Sequence, residues 1–314
     1  MVVSPFMQKG LLFLYIILVL VAPQAQAKTD RSSGGPRVLV VDAHPDDEGA
    51  FAGAIYKIHH DLHGTVDLVV ITDGEGGYKY STLAEPYYNR NLTDEKIGRK
   101  YLPAIRQEEM ERAGKIIGLH HIYFLKQRDN RYTLDPHEVL DSNWNIPFVK
   151  STLKKIMIDG HYDFVFMLLP VESTHGHHKA AGILALSVLK SLPSNIPHPI
   201  ALGGDVIDSG KTPASFTELA GFPITHVSDG APSYSFNRRQ SFGFHHALNY
   251  KVIVNWDIAE HKSQGTEQLG MNQGDLEEYY YFDVNPPEGR AKAKALFDKL
   301  AVNYYPELTY PGVK

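Results

Sequence analysis

The 314-residue chain contains no cysteine. Disulfides, a lipid-modified cysteine and a thiolate metal site are therefore excluded, and any metal would have to be held by His, Asp or Glu. A basic excess is missing as well. There are 31 Lys and Arg against 36 Asp and Glu, a formal charge of -5 and a pI near 6.3. Such a balance leaves no electrostatic footprint for nucleic acid. The most apolar stretch, Leu11 to Ala22, falls short of the roughly 20 residues that span a membrane comfortably. Lys9 is the only charge before it, and "PQAQA" follows. Residues 1–27 thus read as a signal peptide cleaved before Lys28, with an uncleaved anchor as the alternative. The mature protein is expected to be exported, with no stable membrane span.

What remains has the composition of a globular protein, 43% hydrophobic and 21% charged, long enough for a substantial core. Residues 28–36 read as a polar tail and 37–314 as a single domain with an irregular C-terminal part. "RVLVVDA" from Arg37 is a β-branched apolar run, a strand buried on both faces. Residues 48–64 have helical spacing and stop at Gly64; a second buried strand at 66–77 ends in glycines. A helix over 105–119, a strand over 121–127, a helix over 146–160 and a strand over 163–170 follow. The last runs into "VESTHGHHKAAGILALSVLKSL". Alternation of this kind implies an α/β fold, a mostly parallel sheet with helices on both faces. Later segments, 199–208 and 224–230, read as short strands, and 249–269 and 288–301 each carry a helix. The aromatic stretch Tyr78 to Ala104 reads as a segment lining or covering a site, or as a plain surface insertion.

Ligands of such sheets bind beyond the carboxyl ends of the strands. The first strand delivers Asp42, His44, Asp46, Asp47 and Glu48 there, and Pro45 sets the helix start. His44 and Asp47, three residues apart, can converge on one ion. The alternative is that the acids only complement the positive end of a helix, worth about 0.3–1 kcal/mol each. That accounts for acids but not for His-Pro among them. The fourth strand ends near His175, His177 and His178, of which His175 and His178 can share a helix face. Two histidines and an aspartate make a site with a vacant position, the layout of a catalytic zinc rather than a structural one.

"AHPDDE", "TDGEGG", "IRQEEMERAGKIIGL", "HGHH" and "AEHKSQ" occur in this order between Arg37 and Gln264. In them the chain resembles the PIG-L/LmbE-like family of zinc-dependent N-acetylglucosaminide deacetylases, which have a Rossmann-like fold. The resemblance implies Zn2+, or another divalent ion such as Fe2+, on His44, Asp47 and His178. It makes Asp46 the general base and places His175, expected to be protonated, beside the developing oxyanion. It makes Arg106 a substrate contact, although a helix-face ion pair with Glu109 would also account for it. His177 stands where the family often has Asp, which leaves the support of His178 open and His177 itself a candidate ligand. "KQRDNRY" replaces the family's Asp-Gly segment after the third strand. The implied activity is removal of an N-acetyl group from a sugar or glycoconjugate. An amidase acting on another acylated amine and a non-catalytic carbohydrate binder are the alternatives. His261 and Gln264 are expected to hold the site from behind. Glu75 would border it or serve as a turn acid, and Tyr78, Tyr80, Tyr87 and Tyr88 would stack on a sugar or pack the insertion.

Overall fold

The structure is a computed structural model that describes residues 34–305. The expected signal peptide at residues 1–27 and residues 28–33 of the expected tail lie outside the described residues. Strand β1 (Arg37–Asp42) is the centre of the fold. It pairs in parallel with β2 (Thr65–Thr72) on one side and with β4 (Phe164–Leu168) on the other. The sheet continues through β3 (His121–Gln127) beside β2 and β5 (Ile200–Ile207) beside β4. Two antiparallel strands, β9 (Leu276–Tyr281) and β6 (Tyr234–Asn237), then complete the order β3-β2-β1-β4-β5-β9-β6. A small ribbon pairs β7 (Ser241–Phe242) with β8 (Leu248–Asn249).

Side chains of β1 alternate between two cores, as a strand covered on both faces requires. Val38 and Val40 join α1 (Ala52–His60), α3 (Glu95–Ile117), α7 (Lys251–Glu260) and α9 (Gly289–Leu300) on one face. Leu39 and Val41 join α5 (Ile146–Gly160) and α6 (Gly176–Lys190) on the other. Shorter helices, α2 (Glu85–Tyr88), α4 (Pro136–Ser142) and α8 (Gly265–Gln268), lie in the connections. No helix among the described residues is long and apolar enough to cross a membrane.

The α/β architecture and its mostly parallel sheet with helices on both faces are as the sequence implies. Two segments differ. The expected strand over 224–230 is a 3-10 turn at Pro223–Thr225 followed by loop, because Pro223 and the Ser-Asp-Gly run leave too few consecutive ladder donors. Helix α3 begins ten residues before Ile105. Asp94 caps it, its side chain accepting from the N–H of Ile97 at 3.0 Å, and Gly118 ends it at φ 88°.

The topology also fixes where a ligand can sit. From β1 the chain proceeds to β2 and β3 on one side, then returns to β4 on the other. The gap between the ends of β1 and β4 is a switch point, where open α/β sheets bind their ligands.

Candidate metal centre

Beyond β1 the chain turns sharply at Pro45 into a 3-10 turn over Asp47–Phe51. The turn is held by Asp47, whose Oδ2 accepts from the backbone N–H groups of Ala43 at 3.1 Å and His44 at 2.8 Å. Its Oδ1 is thereby aimed outward, 3.1 Å from His178 Nε2. His44 Nδ1 lies 3.1 Å from His178 Nε2 and 3.4 Å from Asp47 Oδ2. Three donors from two strand ends thus form a small triangle. A tetrahedral ion with bonds of about 2.0–2.2 Å needs donor separations of about 3.3–3.6 Å, near the spacing found, and two imidazoles with one carboxylate suit zinc or ferrous iron. Burial opposes the charge on Asp47, but the His178 and His44 imidazoles hold its carboxyl well below the usual range.

Each ligand candidate is held from its far side, as metal-binding imidazoles need. His178 Nδ1 meets Thr174 Oγ1 at 2.9 Å, which supplies the support that His177 left open in the sequence. His177 is fully buried and lies behind His44, its Nδ1 3.0 Å from His44 Nε2. His44, His175 and His177 also bring donor atoms within 4.8 Å of one another. That trio has no carboxylate of its own, although Asp129 Oδ1 lies 3.5 Å from His177 Nδ1, and His177 does not border the cavity onto which His44, Asp47 and His178 open.

The cavity measures about 480 Å³ and is bordered by Asp46, His175, Tyr78, Lys79, Tyr80, Arg99, Asp129, Tyr132 and Gln264 among others. Asp46 Oδ1 accepts from Arg106 Nη2 at 2.8 Å. Burial, only partly offset by that guanidinium, raises the Asp46 carboxyl above the ordinary aspartate value. Arg106 also donates to Gly74 O at 3.0 Å and Pro45 O at 3.1 Å, so three of its contacts lie within the protein. It makes no ion pair with Glu109. His175 caps α6, its Nδ1 accepting from the N–H of His177 at 2.9 Å, which leaves Nε2 to carry the ring proton. Burial and the neighbouring imidazoles push its pKa down to about 2. Both features disfavour the expected protonated His175 and favour a neutral ring that donates one hydrogen from Nε2.

Glu48 and His261 lie behind the centre, joined through Oε1 and Nε2 at 2.6 Å. After the opposing effect of burial, Glu48 raises the His261 pKa to about 10. Glu109, buried in α3, accepts from Tyr88 OH at 2.6 Å, from Ser263 N–H at 2.8 Å and from Ser263 Oγ at 2.6 Å. Tyr78 and Tyr80 border the cavity, whereas Tyr88 is used by Glu109 and Tyr87 faces solvent. Glu75 is a turn acid, paired with Arg99 at 3.0 Å and Arg128 at 3.1 Å.

Two residues were not picked out from the sequence. Asp129, from the "KQRDNRY" segment, is buried on the cavity wall, 3.9 Å from His44 Nε2, and accepts from Gly76 N–H at 3.1 Å. Its signal was its place just past β3, on the edge of the sheet that carries His44. Glu267 borders this cavity and also a second one of about 340 Å³, which shares Asp46 and Asp47 with it.

Comparison with known proteins agrees with this architecture. The family model described as PIG-L: GlcNAc-PI de-N-acetylase matches residues 39–189. A solved deacetylase-bog complex from the biosynthesis pathway of teicoplanin is 14% identical with a TM-score of 0.50, over 80% of this chain and 100% of that one. N,N'-diacetylchitobiose deacetylase from Pyrococcus horikoshii is 17% identical with a TM-score of 0.41, over 78% of this chain and 83% of its own. GalB, the 4-carboxy-2-hydroxymuconate hydratase from Pseudomonas putida KT2440, is 14% identical with a TM-score of 0.48, over 78% and 95%. At 14% identity the likeness to the first of these is one of fold alone. No curated protein matches the chain.

Proposed function

We propose, from the PIG-L family model's match to residues 39–189, that the protein is a metal-dependent hydrolase that removes the N-acetyl group from an N-acetylated sugar or glycoconjugate. The observation that carries this reading is the donor triangle of His44, Asp47 and His178 opening on the same cavity as Asp46. His44, Asp47 and His178 would hold a divalent ion, zinc first and ferrous iron second. When bound, such an ion supplies Lewis acidity toward water and toward the amide carbonyl.

The protein's own groups divide the remaining work. Arg106 fixes one oxygen of Asp46, and Oδ2 is left to take the proton of the attacking water, a step worth roughly 10²–10⁴-fold. Asp46 then returns that proton to the departing amine. Neutral His175 donates from Nε2 to the oxyanion that develops on the former carbonyl; losing one such donor typically costs about 2.7–4 kcal/mol. The Tyr132 and His175 rings meet nearly at right angles, 4.8 Å between centroids. Tyr78 and Tyr80 offer flat faces on which a sugar ring can stack, and Lys79 and Arg131 supply donors for its hydroxyls. The leader at residues 1–27 supports action outside the cytoplasm.

Acetate release from a panel of N-acetyl sugars and acylated amines, with bound metal quantified, tests the reading. Wild type should hydrolyse the sugars, and Asp46→Asn should lose at least about a hundredfold in kcat with its metal retained. Unchanged turnover in Asp46→Asn at full metal content would remove Asp46 from its role. Hydrolysis confined to the other amines would favour the amidase alternative, and tight sugar binding without turnover would favour a binder.

A further inference from the structure

Behind the His44–Asp47–His178 centre stands a second convergence of metal-type donors that the hydrolytic reading leaves unused. Glu48, Asp257 of α7 and His261 at the end of that helix are 0%, 0% and 1% exposed. One donor atom of each lies within 4.8 Å of the others. The single bond among them is the one from His261 to Glu48. Glu48 Oε2, both oxygens of Asp257 and His261 Nδ1 are buried without any partner in the protein.

Buried carboxylates without a partner are among the most unfavourable groups a fold can hold, unless a proton or a cation joins them. The surroundings add negative charge here. A Cβ placed on Gly49 would lie 3.5 Å from Asp257 Oδ2 and 3.6 Å from Glu267 Oε1, so a third carboxylate flanks the same backbone position. The nearby Arg238 is already engaged with Glu277 at 2.8 Å and with Gly49 O at 2.6 Å. Two carboxylates, with a third beside Gly49, therefore surround one imidazole, and an ion held there would displace the proton that Glu48 favours on His261.

We propose that Glu48, Asp257 and His261 bind a second divalent cation, of the zinc, iron or manganese class that mixed imidazole and carboxylate donors select. The site is closed, so the ion is structural. It ties the turn bearing Asp46 and Asp47 to α7, two segments about 210 residues apart in sequence. The second cavity reaches the neighbouring Gly49, Ile258 and Glu267, but none of the three donors borders it. None of this depends on which bond the enzyme cleaves.

The test is a metal count, not an activity. Full-length protein is stripped with chelator, reloaded with Zn2+ or Mn2+ and dialysed, and bound metal per chain is measured by mass spectrometry. Two equivalents are expected in wild type and one in His178→Ala. One equivalent is also expected in Asp257→Asn, together with loss of part of the metal-induced rise in Tm. One equivalent in wild type and none in His178→Ala would overturn the proposal, and that pair decides the matter even if Asp257→Asn does not fold. One equivalent in both wild type and Asp257→Asn, with the variant at least as stable, would also overturn it. A proton shared by Glu48 and Asp257 would then stand in the ion's place.

Discussion

Replacing Arg106 by Met separates two roles for this residue, because a substrate contact and a positioning residue predict different kinetics. Its guanidinium is 2.8 Å from Asp46 Oδ1, and the two side chains are 3% and 15% exposed. An arginine this close typically lowers a carboxyl pKa by about 1–3 units, or about 1.4–4 kcal/mol at 1.36 kcal/mol per unit. Burial already pushes Asp46 upward, so removing the offsetting charge raises it further. The base form is then lost on the acid side, and the acid limb of the kcat profile should move up by about one to three units. KM should change little. Losing the guanidinium from its buried pair with Asp46, together with its bonds to Gly74 O and Pro45 O, should also cost about 3–5 kcal/mol of stability. Arg106→Lys, which retains the charge but not the fork, should move the limb less. The assay is kcat and KM against pH at matched metal content, with Tm recorded for each variant. A raised KM with the acid limb unmoved would refute the reasoning and return Arg106 to the substrate contact that the family resemblance implies.

Other outcomes follow from single contacts. Thr174→Val removes the hydroxyl that holds His178 Nδ1 and should weaken metal binding by about 10–100-fold; chelator competition measures it, and unchanged affinity would sink the assignment. Leu39→Ala deletes a fully buried side chain of β1 and should cost about 2–5 kcal/mol in denaturant unfolding, with a loss under about 1 kcal/mol speaking against its place in the core. Lys57 in α1 is buried, and its pKa is lowered to about 8 by burial against the opposing charge of Asp61. A lysine depressed in the fold recovers stability as pH rises from 8 toward 10.5. Wild type should therefore gain on Lys57→Met across that window, and a flat difference between their unfolding free energies would contradict it.

Much of this was legible in the sequence because burial wrote it there. β1 is apolar on every residue from Val38 to Val41, which only a strand covered on both faces tolerates. His44, Asp47 and His178 could be brought together before any coordinates, since both segments end on one sheet edge. β9 was not legible. Its "LEEYYY" carries two acids in a row, and Glu277 reads as solvent-facing until Arg238 is seen to neutralise it at 2.8 Å inside the fold. The first turns of α3 were hidden by their polarity and by Pro103, which the helix accommodates. Asp129 was masked by Lys126, Arg128 and Arg131, the pattern of a solvated loop, although its own carboxylate turns inward. For β9 and Asp129 the missing information was a partner distant in sequence.

The buried carboxylate of Glu109 has a consequence for how the cavity breathes. It is a single rivet through three plates: the long helix, the tyrosine of the segment over the mouth, and the serine preceding the far wall. Neither wall can swing outward alone without shearing a bond at that pin. The two flanking segments are therefore coupled through one buried carboxylate of the long helix.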